Sequence, residues 1–384
     1  MELATFAIHD GYLEAILRGL RSSFLTEIQY GQMKNCSTLG ELKTFLEETD
    51  YGTLLQTENQ DIPIITLREK LREKLAQEFD YIGTQSGGKL NEFLHLMRCK
   101  YMIDNVVNII EQLRVDPKAK FTGCHPLGYF EGMNNIKVME GDDLSQLYRD
   151  VLIDTPVGTY FMRFLEESME GMGENKGMND VQEIFKQMKP EHIRNSLKKM
   201  WLEDFYTYCS TLSNGTTSEM MVDLLKVEAD FKNIQVIYNT IGHNTSMAKL
   251  LLTRKQLTPN FGYLYPDCDE ALKKSTNVDQ LREAVKGIEN YSAIMKDAPD
   301  PSKMEDFTFH TKTLEDFMSE DECRRYSIAF DQCAHYTVFY AYLKLKELEV
   351  RNIIWLAEMI SRKLQKGHPG WKKIIVPFSN LTGK

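Results

Sequence analysis

The sequence has no apolar run approaching the roughly 20 residues that a membrane-spanning helix needs. Its most apolar windows, Thr337–Leu343 and Ile353–Leu356, are short and bounded by Lys, Arg and Glu. Any membrane association is therefore expected to go through a partner. The segment Met1-Glu2-Leu3-Ala4-Thr5 lacks the basic and apolar stretches of a secretory signal. Cysteine pairing signals are also missing. Seven scattered residues (Cys36, Cys99, Cys124, Cys209, Cys268, Cys323 and Cys333) form no CxxC pair and are odd in number. That pattern predicts reduced cytosolic thiols rather than a disulfide framework. The sequons at Asn35, Asn214 and Asn244 are then expected to stay unmodified. Positive charge is in deficit, with 46 Lys and Arg against 56 Asp and Glu and a net charge of −10. Nucleic-acid affinity rests on cations neutralising phosphates, so no nucleic-acid partner is expected. The pairs Lys198-Lys199, Arg324-Arg325 and Lys372-Lys373 read as solvated helix faces.

Strand alternation is nearly absent, and helical periodicity takes its place. Between Pro301 and Gly367 there is neither glycine nor proline. Within this stretch Leu345, Leu348, Asn352, Trp355 and Met359 share one face, with Glu347, Arg351 and Glu358 at its margin or beyond. The spacing predicts a long amphipathic helix through Tyr336–Lys363 with one buried stripe that includes Trp355. It ends at Lys363, Lys366, Gly367 and Pro369, the cations and breakers that follow a last turn. Further helices are expected over Thr66–Phe79, with Thr66 and Glu69 as a capping box, and over Leu90–Leu113, Ile193–Leu212 and Thr217–Ile241. Glycine and proline mark connections near Gly83–Gly88, Gly123–Pro126, Gly171–Gly177 and Pro259–Pro266.

Catalytic signals are weak. Gly83-Thr-Gln-Ser-Gly-Gly88-Lys89 fits GxxxxGK, but a phosphate loop needs a strand before it and Ser or Thr beside the Lys. Here a helix precedes it and Leu90 follows, so a flexible inter-helix loop is expected and no nucleotide. Cys124-His125-Pro126 has no second pair at zinc spacing, and His243, His310 and His335 are scattered. A structured connection is expected there, with no metal, no cofactor and no catalytic residue. Met and Tyr, 19 and 18 in number, serve as packing material.

The most informative feature is a threefold internal repeat. Gly-Tyr-(Leu/Phe) occurs at Gly11-Tyr12-Leu13, Gly128-Tyr129-Phe130 and Gly262-Tyr263-Leu264. Leu39-Leu42-Leu46, Leu144-Leu147-Val151 and Val278-Leu281-Val285 share one apolar spacing. Short elements follow: Thr49-Asp50-Tyr51, Asp154-Thr155-Pro156 and Glu289-Asn290-Tyr291. Each unit then carries an Asn before a β-branched residue in mid-helix: Asn105, Asn233 and Asn352. In the second and third units this Asn follows an acid and a base, Glu228 with Lys232 and Glu347 with Arg351, at the favourable i,i+4 spacing. A buried Asn needs partners or costs about 1–3 kcal/mol. The expected architecture is all-α. Three pseudo-repeated helical bundles, at 1–123, 124–258 and 259–384, cooperate as one unit, each pairing a leading helix with a long helix that carries the Asn.

Ordered segments across nearly the whole chain resemble the vacuolar-type ATPase subunit d family, itself related to the C-type subunit of archaeal-type rotary ATPases. They include Gly11-Tyr-Leu-Glu-Ala-Ile-Leu-Arg-Gly-Leu20, Thr49-Asp-Tyr-Gly52, Tyr101-Met-Ile-Asp-Asn105 and Cys124-His-Pro-Leu-Gly128. Asp154-Thr-Pro156, Gly215-Thr-Thr217, Val227-Glu-Ala-Asp230, Leu264-Tyr-Pro266 and the run from Phe339 to Glu358 complete the series. The resemblance implies a funnel of three bundles on the cytosolic face of vacuolar and other acidic endomembranes, resting on the proteolipid (c-type) ring and receiving the central stalk. It implies a non-catalytic rotor adaptor that couples ATP hydrolysis elsewhere to proton transport. Gly171–Asp180 reads as a polar insertion, and the tail beyond Phe378 departs from the family pattern. The competing readings are a helical scaffold of an unrelated cytosolic complex and a divergent nucleotide-binding enzyme.

Overall fold

The computed structural model describes residues 2–116, 121–133, 136, 155–170, 189–212, 214–242, 246–299, 312–364 and 367–379. Among these residues every regular element is helical. The first helices are α1 Glu2–His9, α2 Gly11–Leu20, α3 Glu27–Met33, α4 Leu39–Glu47, α5 Gly52–Leu55, α6 Ile64–Gln85 and α7 Gly88–Val115. They are followed by α8 Gly158–Glu170, α9 Pro190–Ser210, α10 Gly215–Thr240, α11 Met247–Leu257 and α12 Asp269–Lys274. The chain continues through α13 Val278–Val285, α14 Glu289–Asp297, α15 Leu314–Ile328 and α16 Thr337–Ser361. The Leu144-Leu147-Val151 pattern, Asp154, the Gly171–Asp180 insertion, His243, Asn244, His310 and the tail past residue 379 lie outside the described residues.

Local chemistry explains where helices start. Thr26 and Gln29 close a capping box on α3, and Thr313 with Asp316 does so on α15. Asn277 accepts from Gln280 N at the start of α13. Asn214 caps α10 through Thr217 N at 2.9 Å, and its amide also reaches Ala334 O. No capping box forms at Thr66 and Glu69. The helix begins two residues earlier, at Ile64 directly after Pro63, whose φ of −64° already suits a helix, so Thr66 lies inside the first turn. The expected loop at Gly83–Gly88 is also mostly helix. Gly83 belongs to the last turn of α6 and Gly88 opens α7, leaving Ser86 and Gly87 as the link.

Packing crosses the expected unit boundaries. The C-terminal half of α16, through Val350, Ile353 and Ile360, shares a core with Tyr30, Leu42, Tyr51 and Leu71 of the N-terminal helices. In the same way, Val227, Ile234 and Tyr238 of α10 are cored with Leu272, Leu281, Tyr291 and Met318 from later in the chain. A larger central core joins α2, α7, α9 and the N-terminal half of α16. Helix α9 packs along both α7 and α10, and α15 along α16, whereas α6 packs on α16 and the 126–128 turn. Leu67, Leu71, Leu75 and Phe79 give α6 the buried stripe that this contact requires.

Because neighbours cover several of its sides, α16 is buried on more than one face. Leu345, Asn352 and Met359 of the expected stripe are buried. Leu348 and Trp355 are only half-buried, while Ile353, Ile354, Leu356 and Ala357 on other faces are buried too. The single stripe with a buried Trp355 is therefore corrected to a central helix on which Trp355 faces the margin.

Candidate partner-binding interior

The three asparagines are buried and do the same kind of work. On α7, Asn105 Oδ1 accepts from His125 N at 2.6 Å while its Nδ2 donates to His125 O at 2.9 Å. On α16, Asn352 Nδ2 donates to Ile375 O at 2.6 Å, and Oδ1 accepts from Ile375 N at 3.4 Å. On α10, Asn233 Nδ2 reaches Pro259 O at 3.3 Å, and its Oδ1 has no partner. Proline has no N–H to donate, so the second bond cannot form at that residue. Each side chain thus reads the backbone of the segment that returns after its own long helix. The Gly-Tyr motif belongs to these returns in two cases. A Cβ at Gly128 would fall 2.3 Å from Tyr101 O, and one at Gly262, where φ is +140°, 2.1 Å from Asp230 Oδ1. Gly11 meets no such approach; it simply opens α2.

A carboxylate three residues before the Asn adds a second tie on two of the long helices. Asp230 accepts from Tyr263 N, Leu264 N and Tyr291 Oη, at 2.8, 3.2 and 2.9 Å. Glu349 accepts from Leu25 N at 2.6 Å, Tyr51 Oη at 2.7 Å and Lys346 Nζ at 2.9 Å. The Tyr51 and Tyr291 of the short repeated elements are therefore buried donors to a neighbouring unit's long helix. On the remaining long helix, α7, Met102 stands at the acid's position, and the remaining short element, Asp154-Thr155-Pro156, has no tyrosine. Acid and tyrosine are absent together there. His125, whose Nδ1 accepts from Leu127 N, lies with its ring centroid 4.6 Å from that of Tyr101. Burial and the nearby Arg72 push it down to about 4, so it is a neutral structural residue at pH 7.

The expected i,i+4 pairs do not form. Glu228 instead accepts from Lys344 Nζ at 2.8 Å and from Tyr340 Oη, both on α16. Glu347 faces Lys100 Nζ of α7 at 3.9 Å, and Arg351 reaches Asp316 of α15 at 3.3 Å. Lys232 makes no hydrogen bond or ion pair among the described residues. For Glu228 and Glu347 interhelical partners win because these side chains point toward a neighbouring helix, where a partner is less hydrated than on the helix surface; Arg351 is exposed.

Together these groups form a charged interior. Lys100 and Asp104 come from α7, Arg194 and Lys198 from α9, Glu228 and Lys232 from α10, Glu322 from α15, and Lys344 and Glu347 from α16. Lys198 meets Asp104 at 2.7 Å, and Arg194 meets it at 3.5 Å. Although five helices enclose the cluster, the side chains of Lys344, Glu228, Lys100 and Glu347 keep 13, 16, 22 and 30% exposure. A sealed core would leave almost none, so this interior is hydrated. Burial raises Glu228, but Lys344 and Lys100 outweigh it and hold the carboxyl at about 2. Burial, reinforced by Glu228, lifts Glu322 to about 7 despite Lys344. Burial and Lys198 lower Lys232 to about 8. A cleft of about 490 Å³ adjoins the cluster, sharing Glu347 and His125 with it and adding Arg68, Arg72, Trp355 and Glu358. Trp355 donates Nε1–H to Gly370 O at 2.9 Å on the cleft wall.

Sequence reasoning singled out Asn105, Asn233, Asn352, Glu228, Lys232, Glu347, Arg351 and Trp355. The structure brings Glu228, Lys232 and Glu347 to the interior and leaves the three asparagines at separate returns. It adds Lys100, Asp104, Lys344, Asp230, Glu349 and Glu322. Asp230 and Glu349 carried a faint signal, each being an acid three residues ahead of an Asn. Around Gly83–Lys89 a Cβ on Gly83, Gly87 or Gly88 would meet nothing within 4 Å, so these glycines form no cradle. Among the described residues no three His, Cys, Asp or Glu side chains are grouped to hold a metal, and no helix is long and apolar enough to cross a membrane.

These features define an all-helical body whose ionisable residues tie helices together around a hydrated, charged interior. Residues 13–369 match the ATP synthase (C/AC39) subunit family, and the chain belongs to it. It is 37% identical over 366 residues to V-type proton ATPase subunit d of Dictyostelium discoideum, covering 95% of this chain and 94% of that one. It is 36% identical over 364 residues to V-type proton ATPase subunit d1 of Arabidopsis thaliana, covering 94% and 95%. The subunit d of Saccharomyces cerevisiae is 32% identical over 365 residues, covering 94% and 96%.

Proposed function

We propose that this chain is the subunit d of a V-type proton ATPase, a non-catalytic rotor adaptor between central stalk and proteolipid ring. The carrying observation is end-to-end similarity: relatives named subunit d align over about nineteen-twentieths of both chains. In this reading the body is a funnel of three related units and sits as a peripheral protein on the cytosolic face of acidic endomembranes. The three asparagine-held returns support the threefold construction. So does the way each of two short-helix groups is cored with the long helix of the unit before it, the last long helix completing the first group. The hydrated interior suits reception of a stalk, because polar walls can exchange water for a polar partner. Torque transmission needs stiffness, and the Gly- and Pro-free α16, gripped on several sides, supplies it.

Removing the protein should abolish vesicle acidification while leaving the ring in its membrane. In cells lacking the ring, the tagged protein should leave the membrane fraction. Normal acidification without the protein, or full membrane retention without the ring, overturns the reading.

A further inference from the structure

We propose that the cationic side of the interior, Lys232 and Arg72 backed by Lys198, seats a carboxylate-rich tip of the stalk polypeptide. This rests on the adaptor reading above and adds the chemistry of what is received.

The first observation is an imbalance of pairing. Lys344 is matched to Glu228 at 2.8 Å, Lys198 to Asp104 at 2.7 Å and Lys100 to Glu347 at 3.9 Å. Lys232 and Arg72 both lie within electrostatic reach of Asp104, and neither has a hydrogen bond or ion pair among the described residues. Both are half-buried. An enclosed cation without a counter-ion costs stability, and proteins usually avoid it. The acid that the sequence places four residues before Lys232 is fully engaged by Lys344 and Tyr340 on another helix. Asp104, the other carboxylate whose field reaches Lys232, is already shared by Lys198 and Arg194.

The second observation is space. Arg72 lines the 490 Å³ cleft, which adjoins the cluster through His125 and Glu347. An incoming carboxylate would have room, and the guanidinium offers a two-pronged donor fork to bind it. The third is sign. The chain as a whole carries −10, so an acidic partner would be repelled by most of its surface and attracted only where cations outnumber acids. That contrast fixes where and how the tip inserts, which is the role of charge complementarity at interfaces. Burial and the neighbouring Lys198 disfavour the charge on Lys232; an arriving carboxylate would favour it.

The test uses the tagged full chain carrying Lys232→Met, Arg72→Gln or both. It is expressed in cells without their own copy and recovered from detergent-solubilised membranes with whatever stalk polypeptide it retains. Removing an unpaired cation should leave the thermal midpoint unchanged or raised. The double variant should nevertheless retain about tenfold less stalk polypeptide, and retention by the wild type should fall steeply as salt screens the contact. Poly-L-glutamate should compete the stalk off the wild-type protein, and inorganic phosphate at equal ionic strength should not. Full retention by the double variant overturns the proposal, as does a loss that merely follows a lowered midpoint. Equal displacement by phosphate would assign the site to a free anion and overturn the acidic tip. If the wild-type chain brings down no pump polypeptides, the adaptor reading itself fails. If wild type and variants bring them down equally, only this inference does.

Discussion

The buried asparagines allow a graded prediction, because the three sites differ in how well the amide is satisfied. Replacing each in turn by Leu, of similar volume, removes the amide and strands whatever backbone groups it held. At Asn105 two good bonds are lost and His125 keeps an unsatisfied N–H and C=O. With about 1–3 kcal/mol for each stranded buried group, the cost is about 2–4 kcal/mol after part of it is relieved by the more apolar side chain. At Asn352 one bond, to Ile375 O, is short and two, from Ile375 N and to Tyr30 Oη, are marginal at 3.4 Å, so about 2–3 kcal/mol is expected. At Asn233 a single 3.3 Å bond is lost, and an Oδ1 buried without a partner is removed as well. The two effects oppose, and the net cost should be below about 1 kcal/mol. Urea unfolding followed by far-ultraviolet circular dichroism measures the ranking. Amide exchange at His125 and Ile375 reads the local returns, which should open first in the Asn105 and Asn352 variants. If Asn233→Leu proves as costly as Asn105→Leu, the asparagines are not acting through backbone pairing and the account fails.

Trp355→Ala should cost about 1–3 kcal/mol rather than the 3–5 typical of a buried Trp, because the ring is only half-buried; a thermal shift as large as that of a fully buried aromatic would refute its marginal placement. Tyr51→Phe and Tyr291→Phe should each lower stability by about 1–2 kcal/mol, and a double-mutant cycle of Tyr51→Phe with Glu349→Gln should show coupling that is absent between Tyr51→Phe and Asp230→Asn. Glu228 is held at about 2, below its ordinary 4.5, so its contribution is present above pH 4.5 and lost as pH falls toward 2. Glu228→Gln should therefore reduce stability at pH 7 and flatten the acid limb of the stability curve between those values, and an unchanged limb would sink the assignment.

Much of the local structure was legible before any fold was known. The long helices over Leu90–Leu113, Ile193–Leu212 and Thr217–Ile241 begin and end within a few residues of the expected bounds, because apolar periodicity, glycine and proline act within a turn or two. Thr66 and Glu69 have the spacing of a capping box, but Pro63 three residues earlier starts the helix at Ile64 and leaves Thr66 inside its first turn. What periodicity could not convey was how many sides of a helix are covered. Leu345, Leu348, Asn352, Trp355 and Met359 do fall along one face, but a single stripe describes a helix with one neighbour, and α16 has several.

The sequence by itself determined the class of the fold, the positions of the long helices and the three asparagines that a buried amide would have to satisfy. Those are consequences of short-range spacing and of what each residue type demands. Tertiary structure alone decided who satisfies them. Glu228 lies one helical turn from Lys232 yet pairs with Lys344, and Glu347 faces Lys100 rather than Arg351. Both choices depend on which helices are brought side by side. The same holds for Lys232, which spacing pairs with Glu228 and which packing leaves half-buried with no ion pair among the described residues. Charge can be counted along a chain, but its energy depends on distance and dielectric, and both are set only when the helices meet.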